Sequence, residues 1–209
     1  MMDNFEKLVE LLEKYFDVNI DRPSIGMLAR LFKEVRINKY DNLIYLGSEN
    51  SNIYFVVSGI LRDYYIDSDG KDRTRFFISE GSMCGEDSLF IGSSSFTCTQ
   101  ALEDCVLLTI TGEDFRYIIS KYEQFKDMWV KALEGALAYK IKRENSLLMK
   151  NAAQRYMDFL VDYPELEKRI RQKYIASYLG ITPVSLSRCL LYTSPSPRDR
   201  TRSRMPSSA

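Results

Sequence analysis

Apolar residues recur every three or four positions at both ends of this chain and every second position between them. That double change of period rules out an all-helical or all-strand fold. Residues 3–17 have helical spacing, with Phe5, Leu8, Leu11 and Leu12 on one stripe, and residues 23–34 read as a second helix. Asp21-Arg22-Pro23-Ser24 punctuates between them. From about Tyr40 the period becomes two. Leu43 to Leu46, Ile53 to Val57, Ile60 to Ile66, Arg73 to Ile78 and Val106 to Ile110 are short, β-branched and aromatic-rich. Gly47, Ser58-Gly59, Asp69-Gly70, Gly81 and Gly92 separate them. Short strands at this spacing predict an antiparallel barrel or sandwich. Asp69-Gly70 predicts a hairpin with a type I′ turn, whose two central residues both need positive φ.

Helical spacing returns after Thr111, briefly from Phe115 to Ser120 and then from about Glu123 to Lys150 without a proline. At roughly 1.5 Å per residue the longer segment would run about 40 Å. Its stripe of Phe125, Trp129, Ala132, Ala136 and Tyr139 is expected to find its cover in a second copy of the chain, the alternative being the domain that follows. Residues 152–163 form a further helix, ended by Asp162-Tyr163-Pro164.

The segment Gln172 to Arg188 fits a helix-turn-helix. Ile175 and Leu179 lie one turn apart and face inward, and Ala176 is small where a second helix must cross closely. Gly180 stands at the sharp turn, where glycine tolerates positive φ at least cost. Ile181 plugs the turn, Thr182 is an N-cap, Pro183 starts the second helix and Leu186 anchors it. In such a motif the first residues of the second helix reach base edges in the major groove. Those are Thr182, Val184, Ser185 and Arg188. Arg188 is the direct reader, because a guanidinium bonds both acceptors of guanine for about 1–3 kcal/mol of discrimination. Lys173, with Lys168, Arg169 and Arg171, is placed to meet phosphates.

From Cys189 the chemistry changes abruptly. Cys189 to Asp199 and Ser203 to Ala209 resemble one reading frame of a transposase-type sequencing-library adapter, with Arg200, Thr201 and Arg202 where the variable index would lie. Residues 189–209 are therefore read as a non-native tail and left out of the fold. The remaining chain holds 25 basic and 28 acidic residues, a net charge of −3. Attraction to phosphate must then be local rather than a field of the whole molecule.

The chain contains no histidine, which removes histidine-ligated metals, histidine-ligated haem and histidine general-base catalysis. No metal site, catalytic residue or cofactor is expected. No apolar run approaches the roughly 20 residues that span a bilayer, and the acidic, amphipathic start from Met1 to Phe16 is unlike a signal peptide. The expectation is a cytoplasmic protein without membrane contact, with Cys84, Cys98 and Cys105 as free thiols.

The order of helical lead, glycine-punctuated β-barrel, long helix and C-terminal helix-turn-helix resembles the Crp/Fnr regulators across residues 20–188. The likeness is carried by Phe55-Val56-Val57-Ser58-Gly59, Gly85-Glu86-Asp87-Ser88-Leu89-Phe90 and Tyr174 to Arg188. The resemblance implies an α+β fold with an antiparallel cyclic-nucleotide-binding-like β-roll and flanking helices. It implies a long dimerisation helix and a winged-helix-type helix-turn-helix, truncated here because basic residues are expected where Cys189-Leu190-Leu191 stand. The corresponding domains are 1–120, 121–150, 151–188 and the tail. The implied function is a transcription regulator, not an enzyme, that reads double-stranded, two-fold symmetric operator DNA as a homodimer joined through the long helix. A cyclic-nucleotide-binding module without DNA contacts is the alternative, and the helix-turn-helix opposes it.

In nucleotide-binding members of the family a Gly-Glu turn meets the ribose and an Arg-Ser or Arg-Thr pair holds the phosphate. Gly85 and Glu86 match the first. Phe96-Thr97 stands where the second is expected, so Thr97 is kept and the arginine is lost. Gly85, Glu86 and Thr97 are thus the effector-binding candidates, for a small molecule other than cyclic AMP, and the alternative for Glu86 is a turn residue that bonds backbone amides. Arg73 and Arg75 are the cations near enough in sequence to substitute. Iron–sulfur sensing needs clustered cysteines; the three thiols lie in the barrel and read as small buried hydrophobes.

Overall fold

The computed structural model describes residues 2–17, 19, 20, 26, 28–92 and 94–193, with side chains as far as Arg188. The chain forms two compact units, Met1–Ile141 and Lys142–Ala209.

In the first unit, α1 (Met2–Phe16) precedes eight strands: β1 (Lys33–Ile37), β2 (Asn42–Ile44), β3 (Asn52–Ser58), β4 (Leu61–Ile66), β5 (Asp72–Ile78), β6 (Met83–Cys84), β7 (Cys98–Ala101) and β8 (Cys105–Thr111). The short helix α2 (Ser88–Ile91) lies between β6 and β7, and α3 (Gly112–Lys121) and α4 (Glu123–Met149) follow β8. The strands make two antiparallel sheets, ordered β1-β8-β3-β6 and β2-β7-β4-β5.

Both faces of β3 are buried, which is why Ile53 to Val57 reads as an almost unbroken apolar run. Ile53, Phe55 and Val57 pack with Leu108 and Ile110 of β8 against Phe5, Leu8 and Leu12 of α1 and Phe115 and Ile118 of α3. Val56 and Leu107 point the other way, toward Leu61, Ile78 and Cys84. The three thiols are free and buried. Burial drives the Cys84 thiol well above its ordinary range and Cys105 up to about 11, so both stay protonated at neutral pH.

Four sequence expectations change. Residues 33 and 34 begin β1 rather than ending a helix. Lys33-Glu34-Val35-Arg36-Ile37 alternates, and Val35 and Ile37 pack inward against the core. Of the helix expected over 23–34, the described part includes a short 3-10 turn, Ala29–Leu31; residues 23–25 and 27, with the Asp21–Ser24 punctuation, lie outside the described residues.

The β4–β5 hairpin forms, but without a type I′ turn. Gly70 has positive φ and Asp69 does not. The Gly70 amide donates to the Asp67 carbonyl at 2.9 Å, and the Asp67 carboxylate accepts from the Asp69 and Lys71 amides. An aspartate heading the loop thus satisfies amides that a two-residue turn would have paired across the strands.

Most of the stripe on α4 is covered by its own chain, Ala136 alone of its five residues being exposed. Phe125 and Met128 join the core, Trp129 packs edge-on against Phe115 at 5.2 Å and stacks on Phe90 at 5.9 Å, and Tyr139 meets Phe76 at 6.4 Å. A different face of α4 carries exposed Val130, Leu133, Leu137 and Ile141.

In the second unit, α5 (Ala152–Asp162), α6 (Leu166–Arg169), α7 (Gln172–Leu179) and α8 (Pro183–Thr193) surround Tyr156, Phe159, Tyr178, Leu179 and Leu186. Asn151 and Gln154 form a reciprocal capping box that starts α5. The fourth change is that α8 continues past Arg188 through Thr193, into the stretch set apart from the fold. Leu190-Leu191-Tyr192 holds no helix breaker, and the chain meets Ser194-Pro195 next. Residues 194–209 lie outside the described residues.

Candidate functional site

Two places in the molecule bear on function. The first is a cavity of about 30 Å³ in the β-roll. It is closed by the β6–α2 turn, by the segment before β7, and by Asp63, Arg75 and Thr99 on β4, β5 and β7.

Alternation along β4 places these side chains. Arg62 faces one side of the sheet and bonds Gln100, Thr74 and Asp72. Asp63 therefore faces the cavity side, where its register partner Thr99 donates to it at 3.2 Å. Arg75 of β5 bridges two carboxylates, Asp63 at 3.1 Å and Asp87 at 2.9 Å. Burial pushes the Asp63 carboxyl above its ordinary value, although Thr97 and Arg75 pull it back. Burial also works against the Arg75 charge, but Asp87 and Asp63 more than offset that and hold it above the ordinary guanidinium value.

Gly85, Glu86 and Thr97, expected from sequence to meet an effector, all line this cavity. Gly85 has φ 87°, and a Cβ there would stand 2.5 Å from the Asn52 carbonyl oxygen, so only glycine brings the turn this close to β3. Glu86 lies at the opening of α2. Its Oε2 is shut away from solvent without a hydrogen-bond partner among the described residues. Burial is the main cause that raises its carboxyl to about 7.

Phe96, the residue in place of the expected arginine, is 62% exposed and does not line the cavity. The cation inside is Arg75, from another strand; Arg73 pairs with Asp67 of the hairpin loop instead. Sequence reading missed Asp63 and Thr99 altogether and named Asp87 only as part of the turn motif. An aspartate between Leu61 and Tyr64 in an otherwise buried strand was the available signal, because a buried charge needs a partner.

The second place is the α7–α8 pair. The Ile181 amide donates to the Ala176 carbonyl and the Gly180 amide to Ser177, a Schellman closure with Gly180 at φ 67°. Thr182 then caps α8, its Oγ1 accepting from the Ser185 amide at 3.1 Å. Ile175, Ala176, Leu179 and Leu186 are buried, whereas Thr182, Val184 and Arg188 are exposed and Ser185 is half-buried. The Lys173 ammonium lies over the Tyr174 ring at 4.7 Å. Lys168 pairs with Glu165 at 2.5 Å.

No helix of the described residues is long and apolar enough to cross a membrane. Among the described residues no group of three Cys, Asp or Glu side chains could hold a metal ion.

Comparison with known proteins places this geometry. Residues 34–122 match the cyclic nucleotide-binding domain. The fumarate and nitrate reduction regulatory protein of Escherichia coli (strain K12) is 24% identical over 172 residues, covering 74% of this chain and 66% of that protein. The chain thus spans just under two thirds of the curated relatives it matches. Among solved structures, FixK2 from Bradyrhizobium japonicum is similar with a TM-score of 0.68, at 20% identity, over 85% of this chain and 99% of that one. A CooA mutant from Carboxydothermus hydrogenoformans is similar with a TM-score of 0.66, at 26% identity, over 79% and 78%. Residues 34–122 thus carry a cyclic nucleotide-binding domain, and in sequence and fold the chain is similar to Crp/Fnr regulators.

Proposed function

We propose that the protein is a cytoplasmic transcription regulator that binds double-stranded DNA as a homodimer and responds to a small effector held in the β-roll cavity. The observation that carries the DNA reading is the turn at Gly180–Thr182. It starts a capped helix whose first residues, Val184 among them at 64% exposed, stand in solvent. A buried, purely structural second helix would turn those positions inward. Arg188 reads guanine from the major groove, Thr182, Val184 and Ser185 lie against the bases or their backbone, and Lys173 meets a phosphate. The exposed apolar face of α4 supports pairing with a second copy.

Titration of labelled duplexes with the full chain at several salt concentrations tests this. Binding within about 10⁻⁴–10⁻⁶ M for arbitrary sequences is expected, weakening steeply with salt. Lys173→Ala should reduce the salt slope by about one, and Arg188→Ala should narrow the difference between duplexes instead. A folded chain that binds no duplex in that range would leave a ligand-binding module without DNA contacts.

A further inference from the structure

Taking the β-roll cavity as the effector site, as the reading above does, we propose that its ligand is a compact protonated amine rather than an anionic cyclic nucleotide.

The charges on its walls point that way. Asp63, Glu86 and Asp87 face one guanidinium, Arg75, and Asp63 and Asp87 already share it. A phosphate entering here would meet two carboxylates at the same cation it needs, and like charges at that range repel strongly where water is scarce. A cation meets the opposite field.

The hydrogen bonding points the same way. Glu86 Oε2 is a buried acceptor that no donor among the described residues reaches, and an acceptor in that position gains most from a donor brought by a ligand. An ammonium head carries three donors and no acceptor. Besides Glu86, the Asp63 carboxylate and the Thr97 and Thr99 hydroxyls line the cavity and offer acceptors.

Size agrees as well. A cavity of about 30 Å³ is two to three times the roughly 10–15 Å³ that one water needs on the same measure. It admits a head group and leaves the rest of the ligand outside.

Calorimetry on the full chain without DNA, at pH 7, tests the proposal with three probes: 1,4-diaminobutane, its neutral counterpart 1,4-butanediol, and cyclic AMP. The diamine should bind and the other two should not at the same millimolar concentrations. Asp63, Asp87, Arg75 and the Cys84 thiol are the other charged or titratable groups on the cavity wall. With the empty-state carboxyl of Glu86 near 7, an arriving cation should release about half a proton, read as a heat that changes with the buffer's ionisation enthalpy.

Glu86→Gln should weaken the diamine by roughly ten- to a hundredfold and abolish the proton release. Its unfolding temperature at pH 7 should stay at or above that of the unsubstituted chain, which separates lost binding from lost folding. Tighter binding of cyclic AMP or of the diol, no heat from the diamine, or an unchanged affinity in Glu86→Gln would each overturn the amine assignment. A chain that binds DNA but no amine loses this inference and keeps the regulator reading. A chain that binds the diamine but no DNA does the reverse.

Discussion

Glu86 carries a buried oxygen that no donor among the described residues answers, and its burial implies a pH dependence of folding that one substitution should remove. Its carboxyl sits near 7 in the folded chain against an ordinary 4.5. Between those values the unfolded chain has released the proton and the folded chain still holds it, so stability falls as pH rises through this window. The contribution is complete below about 4.5 and gone above about 7. Urea unfolding of Glu86→Gln and the unsubstituted chain at pH 4.5, 6 and 7.5 should show the parent losing on the order of 2–3 kcal/mol relative to the variant. Parallel profiles would show that Glu86 titrates normally. Gly85, Glu86 and Thr97 were named through the family resemblance, and all three line the cavity. Arg75 was nameable only as one of two nearby cations, and Asp63 and Thr99 not at all. Their meeting depends on strand register, which joins residues 36 positions apart and leaves little trace in either local sequence.

Thr182 shows how one side chain starts an element. Its Oγ1 accepts from the Ser185 amide, a donor at the start of α8 that the helix itself cannot satisfy. Thr182→Ala should destabilise the second unit by about 1 kcal/mol, and Thr182→Ser should restore most of that. Hydrogen exchange at the Ser185 amide should quicken in the alanine variant alone; equal rates in all three would mean the cap contributes nothing. Elements of this kind were readable because a cap, a left-handed glycine and a helix-starting proline are each a local rule. The strands β6 and β7 were not. Met83-Cys84 is too short to show a period, and Cys98-Thr99-Gln100-Ala101 has little of the composition that marks a strand. Both exist because a neighbouring strand pairs with them. β1 was misread for the opposite reason: its alternation was present, but so close to a helical stretch that the longer pattern absorbed it.

At the scale of the whole molecule, α4 has two apolar faces, and most of the stripe that sequence reading assigned to pairing is covered by its own unit. Phe125, Met128 and Trp129 close the core of their own unit, while Val130, Leu133, Leu137 and Ile141 recur at three and four along an exposed face. Both faces have helical spacing, so periodicity could count the stripes but not say which one the β-roll would cover. The two faces should therefore respond oppositely to mutation. Replacing Leu137 and Ile141 together with glutamate should leave the unfolding temperature nearly unchanged and convert the protein to a monomer by sedimentation. The salt slope for DNA should then drop to roughly half, because one copy neutralises half the phosphates of two. Phe125→Ala should instead cost about 3–5 kcal/mol of stability through the cavity it opens, without any direct effect on association while the chain stays folded. If the double glutamate variant still sediments as a dimer, the outward face of α4 does not join the copies, and the argument from its exposed leucines and isoleucine is wrong.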